Sequence, residues 1–213
     1  MIKHKVFLVD DHSLFRNGLK LLLNSSGKAE VVAEASNGQE FLNIIKNFTN
    51  TIVFMDIEMP VKDGIEATVE ALNKYPNLKI IALTMFGEHE YYLKMIEAGV
   101  KGFLLKNSEI DEVIDSLDTV AKGDSCFSKE LLLSLVKNIH SKSQKYTDSL
   151  LSDREIEILS LISKGFSNQE ISEKLFISKR TVDKHRSNII EKTGSKNTAS
   201  LVMYAIKNGI INI

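Results

Sequence analysis

Hydrophobic and polar positions along this chain follow two different rhythms. Up to about residue 120, short unbroken apolar runs alternate with stretches whose apolar residues recur three and four apart. The runs are Val6-Phe7-Leu8-Val9, Ile52-Val53-Phe54-Met55, Ile80-Ile81-Ala82-Leu83 and Phe103-Leu104-Leu105. Continuous runs of that length read as strands of a parallel sheet covered on both faces, and the stretches between them as amphipathic helices. Strands are predicted over residues 5–10, 30–35, 52–56, 79–84 and 101–104. Helices are predicted over 13–24, 38–47, 64–75, 88–98 and 108–121. Gly99 is a good stop for the fourth helix, and Ser108-Glu109-Ile110-Asp111 has the pattern of a capping box opening the fifth. The alternation implies a doubly wound α/β domain with a five-stranded parallel sheet.

After Lys122-Gly123-Asp124 the alternation stops. Residues 129–139 look helical, with Leu131, Leu132, Leu135, Val136 and Ile139 as the apolar stripe. The polar, aperiodic run from His140 to Asp148 reads as a linker. The remainder is helical by pattern. Ser152-Asp153-Arg154-Glu155 and Ser167-Asn168-Gln169-Glu170 are two capping boxes, Ser178 can cap a third helix reaching Thr193, and Asn197 or Thr198 can start a fourth. The expected organisation is a domain over 1–122, a connector over 123–147 and a small all-α four-helix domain over 148–213. Within the last, a helix, a break at Phe176-Ile177-Ser178 and a second helix have helix-turn-helix spacing.

Composition changes the picture in three places. The net charge of −1 conceals an asymmetry: from Ser149 onward ten basic side chains face seven acidic ones, leaving that segment at +3 and the rest at −4. Different partners are implied for the two parts, although charge alone does not establish nucleic-acid binding. Cys126 is the single cysteine, which excludes an internal disulfide and a multi-cysteine metal site. The start has no signal-peptide pattern and no apolar run approaches membrane-spanning length, so no membrane partner and a cytoplasmic location are expected.

The candidate chemistry sits where the apolar runs end. Asp10 and Asp11 follow the first run, Asp56 the second, Thr84 the third and Lys106 the fourth. In parallel α/β sheets ligands bind beyond the carboxyl ends of the strands, so these groups converge. Three carboxylates suit a divalent cation such as Mg2+. Lys106 suits the charge of a phosphoryl group, and the Thr84 hydroxyl can sense it. Taken singly, each residue is also ordinary chemistry for a strand or helix end. In the tail, Val182, Ile189 and Ile190 belong to the core side of the third helix, with His185 near the boundary. Arg180, Asp183, Lys184, Ser187 and Asn188 recur on the other side. Long donors there suit base edges in the major groove, and Lys179, Arg186 and Lys192 suit phosphates. A plain helical bundle with a charged face is the alternative. His12 beside the aspartates reads as a helix-start residue before a metal ligand, and Tyr91 and Tyr92 as packing or a partner surface. His89 and His140 lack partner spacing.

The order Asp10-Asp11, Met55-Asp56-Ile57-Glu58-Met59-Pro60, Gly64, Thr84 and Lys106 resembles the receiver domain of two-component response regulators, over residues 3–122. The resemblance implies that Asp56 is the phosphoacceptor, supplied by a sensor histidine kinase. It implies that Asp11, Asp56 and the Glu58 carbonyl hold Mg2+ with Asp10 assisting, and that Thr84 and Phe103 form the switch. Leu151 to Glu155, Gly165 to Ile171, Ser178-Lys179-Arg180-Thr181-Val182-Asp183-Lys184-His185 and Asn188 to Lys192 resemble the LuxR-type DNA-binding domain over 148–213. The whole chain is thus similar to response regulators of the NarL/FixJ class. The implied DNA-contacting set is Lys179, Arg180, Thr181, Asp183, Lys184, His185, Ser187, Asn188 and Lys192. The implied partners are double-stranded DNA, RNA polymerase and, on activation, a second copy of the chain. The implied chemistry is a phosphoacceptor's and not a turnover enzyme's. Three departures matter: Asn107 stands where many receivers have proline, Met85 where a small residue is frequent, and Asp183 where Lys or Glu is common. A phosphatase acting through an aspartyl-phosphate, a flavodoxin-like cofactor module and a constitutive DNA binder are the alternatives.

Overall fold

The computed structural model describes residues 3–85, 89–127, 151–208 and 210–211. It divides into two compact units, Met1–Cys126 and Phe127–Ile213. The helix expected over 129–139 and the linker after it lie outside the described residues.

In the first unit the strands β1 (His4–Val9), β2 (Ala29–Ala35), β3 (Ile52–Asp56), β4 (Lys79–Thr84) and β5 (Gly102–Leu105) alternate with α1 (Ser13–Ser25), α2 (Gly38–Ile44), α3 (Gly64–Lys74), α4 (His89–Ala98) and α5 (Ile110–Ala121). The sheet order is β2-β1-β3-β4-β5 and every pairing is parallel. The inner runs of β1, β3, β4 and β5 are apolar because both faces are covered, while the edge strand β2 carries Glu30 and Glu34. Val6, Leu8, Phe54, Ile81, Leu83 and Leu104 pack with Leu19 and Leu23 of α1 and Val113, Ile114 and Leu117 of α5. Alternate residues point to the other face, where Phe7 meets Phe41 of α2 edge-on at 5.2 Å. The chain order reverses direction between β1 and β3, and the crevice at such a switch point is where this architecture binds ligands.

One expected helix start is corrected. The capping box at Ser108 does not form: the Ser108 amide closes a turn onto the Leu105 carbonyl at 2.9 Å, and α5 starts at Ile110 with Glu109 as a cap lacking a side-chain bond. Just after Asp124 the chain returns to the sheet. Cys126 bridges Gly102 at the start of β5, accepting from the Phe103 amide at 3.0 Å and donating to the Lys101 carbonyl at 2.8 Å. Burial pushes its thiol pKa up, which suits an unreactive packing role.

The second unit contains α6 (Asp153–Ser163), α7 (Asn168–Leu175), α8 (Lys179–Thr193) and α9 (Thr198–Lys207). Both expected capping boxes form, Ser152 with Glu155 and Ser167 with Glu170, and Ser178 and Asn197 cap the two later helices. The turn between α7 and α8 passes through Phe176 in the left-handed region (φ 53°), and the Ile177 amide closes back on the Ser172 carbonyl at 3.1 Å. Ile158, Leu159, Ile162, Ile171, Val182, Ile189, Leu201, Val202 and Ala205 form the core. Ile190, expected beside them, is only half-buried. The apolar side chains of α9 are buried in their own unit.

Candidate functional site

Backbone geometry fixes the acidic groups first. The Asp10 amide donates to the Ala35 carbonyl at 3.2 Å, holding Asp10 at the end of β1, and its Oδ1 accepts the His12 amide at 2.8 Å. Asp56 is the last residue of β3, and its Oδ1 accepts the Ile57 amide at 2.8 Å. Beyond it the chain loops round to α3, whose first residue donates its amide to the Ile57 carbonyl at 2.9 Å. That residue is Gly64, and a Cβ there would stand 1.9 Å from the Asp56 carbonyl oxygen. Only glycine lets the helix begin against the end of the strand. Within the loop Val61 takes φ 71°, a costly conformation for a β-branched residue.

Lys106 follows β5 and bends back over the sheet ends. Its Nζ lies 2.7 Å from Asp56 Oδ2 and 2.9 Å from Asp10 Oδ2, with the ammonium 5.3 Å from the centre of the Phe15 ring on α1. The contact with Asp10 is an ion pair without hydrogen-bond geometry, so Asp10 Oδ2 stays buried without a hydrogen bond. His12 Nδ1 approaches Asp11 Oδ1 at 3.0 Å and Asp56 Oδ2 at 3.9 Å. Ligand atoms of Asp10, Asp11, His12 and Asp56 all lie within 4.8 Å of one another. An open cleft of about 510 Å³ adjoins them, lined by Asp11, His12, Glu58, Met59, Pro60 and Tyr91, among others.

The charges in this pocket do not balance. Burial, with the nearby Asp10 carboxylate adding to it against the pull of Lys106, raises the Asp56 pKa from its ordinary 3.8 to about 6. Lys106 moves the other way in charge preference. Burial works against its ammonium, but the hydrogen bond to Asp56 and the ion pair with Asp10 outweigh it and its pKa rises. The asymmetry has a simple origin: one ammonium serves two buried carboxylates, so the cation is well held and the anions are not.

Thr84 ends β4, beside the Asp56–Leu83 pairing, and is buried with its hydroxyl donating to the Met85 carbonyl at 3.0 Å. Phe103 of β5 is buried, edge-on to Tyr92 of α4 at 5.1 Å. Met85 keeps 62 % of its surface exposed, and the Lys106–Asn107 peptide is trans.

In the second unit α8 presents Lys179, Arg180, Asp183, Lys184 and Ser187 to solvent, with Thr181, His185 and Asn188 half-buried. Two of the expected phosphate contacts are engaged within the unit instead. Lys192 Nζ sits 2.7 Å from Glu155 Oε2, and Arg186 donates to Asn168 Oδ1 at 2.6 Å and to the Thr198 hydroxyl.

Two family models match the chain: the response regulator receiver domain over residues 6–118, and the bacterial regulatory proteins of the luxR family over 149–205. Oxygen regulatory protein NreC of Staphylococcus aureus is 37 % identical over 214 residues, covering 97 % of this chain and 99 % of its own. This chain belongs to the NarL/LuxR-type response regulators. Solved response regulators align along nearly all of the regulator. ChrA, of a haem-sensing two-component system, is 33 % identical with a TM-score of 0.54, covering 99 % of the regulator and 100 % of its own chain. RcsB in complex with DNA is 25 % identical with a TM-score of 0.58, covering 97 % and 99 %. The regulator is a DNA-binding response regulator with a receiver fold and an acidic pocket, and among its described residues no helix is long and apolar enough to cross a membrane.

The structure brings together Asp10, Asp11, Asp56 and Lys106, sets Glu58 on the same cleft, and keeps Thr84 and Phe103 on the two adjoining strands. Phe15 under Lys106 escaped the sequence reading, because a phenylalanine in the first turn of an amphipathic helix looks like any core residue. Tyr92 proves to be packing, while Tyr91 lines the cleft.

Proposed function

We propose that Asp56 is the phosphoacceptor of this regulator and that its phosphorylation switches DNA binding by α8. The observation that carries the reading is a buried carboxylate at a strand end, one oxygen on the Lys106 ammonium, among two further aspartates beside an open cleft. An Asp56 oxygen attacks the phosphorus of a phosphohistidine on a sensor kinase. The P–O bond forms as the P–N bond breaks, and the imidazole nitrogen keeps the electron pair and is reprotonated from water. Lys106 neutralises the transferred oxygens as a point charge and the Thr84 hydroxyl turns to the phosphoryl group. Phe103, buried against Tyr92, follows the threonine and carries the change to the outer sheet.

The donor set fits a hard divalent cation: oxygen atoms from Asp10, Asp11 and Asp56 cluster with one buried oxygen left without a hydrogen bond. Asp11, Asp56 and the Glu58 carbonyl, with Asp10 assisting, would hold Mg2+. Bound there, the ion relieves the repulsion between carboxylate and phosphoryl oxygens. The chemistry is that of a phosphoacceptor, gaining and losing one phosphoryl group, and not of a turnover enzyme.

On the DNA side Lys179, Arg180, Thr181, Asp183, Lys184, His185, Ser187 and Asn188 make up the reading surface of α8. Lys192, tied to Glu155, supports the far end of that helix and serves phosphates only through its exposed flank. We read the functional domains as 1–122 and 148–213, joined by 123–147. The active form is a homodimer on paired half-sites that contacts RNA polymerase at the promoter. Its partners, DNA and a phosphohistidine donor, put its work in the cytoplasm. Intact mass after incubation with acetyl phosphate and magnesium tests the reading: one phosphoryl group is expected on the wild type and none on Asp56→Asn. An unmodified wild type, with no beryllofluoride adduct either, would leave a constitutive DNA binder.

A further inference from the structure

A carboxylate is an odd group to find on the exposed side of α8. Asp183 shares that side with Lys179, Arg180 and Lys184, where it must be repelled by every phosphate the neighbouring cations attract. Yet the fold holds it in place. Its Oδ1 accepts from Asn168 Nδ2 at 2.7 Å, and Asn168 Oδ1 in turn accepts from Arg186 Nη1 at 2.6 Å. Arg186 also donates to the hydroxyl of Thr198, the first residue of α9. The direction of this relay is unambiguous, since a guanidinium can only donate and a carboxylate only accept, so the Asn168 amide has one permitted orientation. Asp183 Oδ2 has no hydrogen-bond partner among the described residues.

We propose that Asp183 selects cytosine at one position of each half-site, with Asn168 and Arg186 as the positioning residues that aim it. The inference rests on the reading that α8 enters the major groove. There a carboxylate can accept only from an exocyclic amino group, on cytosine N4 or adenine N6. Adenine sets its N7 lone pair beside that amino group, facing the carboxylate, while cytosine sets a C–H there. Thymine O4 and the guanine N7/O6 pair are acceptors and repel the carboxylate outright. The relay leaves one oxygen outward and restrains the side chain beforehand, which reduces the ordering cost of the contact. It also ties the reading group to the start of α9.

The test uses the full-length chain with magnesium and beryllofluoride. Duplexes are selected from a random pool, and affinities are then measured at fixed salt on the selected duplex and its three variants at each position. For the wild type, one position should require cytosine, with other bases weakening binding roughly 5- to 150-fold. Asp183→Ala should flatten that position alone. Asp183→Asn, nearly the same shape, should move the preference to adenine, whose N6 and N7 suit an amide. Asn168→Ala should retain the cytosine preference at reduced strength. If the wild type and both Asp183 variants discriminate alike, or Asp183→Ala simply binds every duplex more tightly by one common factor, the proposal is overturned. Wild type that binds no duplex in any state would instead overturn the DNA-reading role of α8, and this inference with it.

Discussion

At the ends of β1 and β3 two buried carboxylates share the Lys106 ammonium with a third beside them; near the start of α6 one buried carboxylate, Glu155, meets the Lys192 ammonium. Glu155 lacks nothing. Its Oε2 accepts from Lys192 at 2.7 Å, from the Ser152 amide at 2.8 Å and from the Ser152 hydroxyl at 2.9 Å. The Lys192 hydrogen bond, supported by the Ser152 amide, holds its pKa down to about 2, while burial raises that of Asp56 to about 6. Both side chains are buried carboxylates with a lysine partner, so burial alone does not separate them. What separates them is balance. A carboxylate whose donors match its acceptors suits a scaffold, whereas surplus negative charge beside an open cleft suits the cation and phosphoryl group of the proposed function.

The comparison can be broken at several points, and the largest effect is expected at Gly64. Gly64→Ala forces a methyl group into the Asp56 carbonyl, so the first unit should lose about 3 kcal/mol or more. Amide exchange should show β3 and β4 losing protection while α6–α8 keep theirs. Asp56→Asn should do the opposite. With the cation chelated, the wild type carries a charged, under-compensated Asp56 at pH 8. The variant should therefore be more stable there by up to about 3 kcal/mol in urea unfolding. The sign follows from the raised folded pKa. The protonated form favours the fold below about pH 4, and that stabilisation is lost as pH rises through about 6. Asp56→Asn should remove this slope between pH 4 and 6.

Glu155→Gln should cost the second unit about 1–2 kcal/mol, since it weakens a cap and an ion pair together. Its pH signature runs the other way: the folded pKa is depressed, so the contribution is complete above about pH 4.5 and is lost as pH falls through about 2. Thermal unfolding of wild type and variant should converge in acid. The smallest effect belongs to Val61→Gly, which relieves a left-handed valine at some cost in chain entropy. Stability should rise by roughly 0.5–1 kcal/mol with the phosphorylation rate unchanged.

Most of the pocket was legible because a parallel sheet makes its own grammar: its apolar runs end along one edge, so Asp10, Asp56, Thr84 and Lys106 stand out from their neighbours and share that edge. Helix starts were less legible. Ser152 and Ser167 cap as their patterns promise, whereas Ser108 spends its amide on a turn demanded by the exit of β5. The pairings of Lys192 with Glu155 and of Arg186 with Asn168 were invisible. Each joins different helices, and a basic residue on a recognition helix gives no sign of which way it turns. Phe15 beneath Lys106 was hidden for the same reason, as its role depends on a residue 91 positions later.

On the proposed function a phosphoryl group at Asp56 governs what α8 does with DNA. The direct measurement is the affinity of the full chain for a selected duplex, at fixed salt, with and without acetyl phosphate and magnesium, for the wild type and Asp56→Asn. A gain in affinity on phosphorylation for the wild type, absent in the variant, is the predicted result. Equal affinity in both states of the wild type, with the phosphoryl group confirmed by mass, would contradict it.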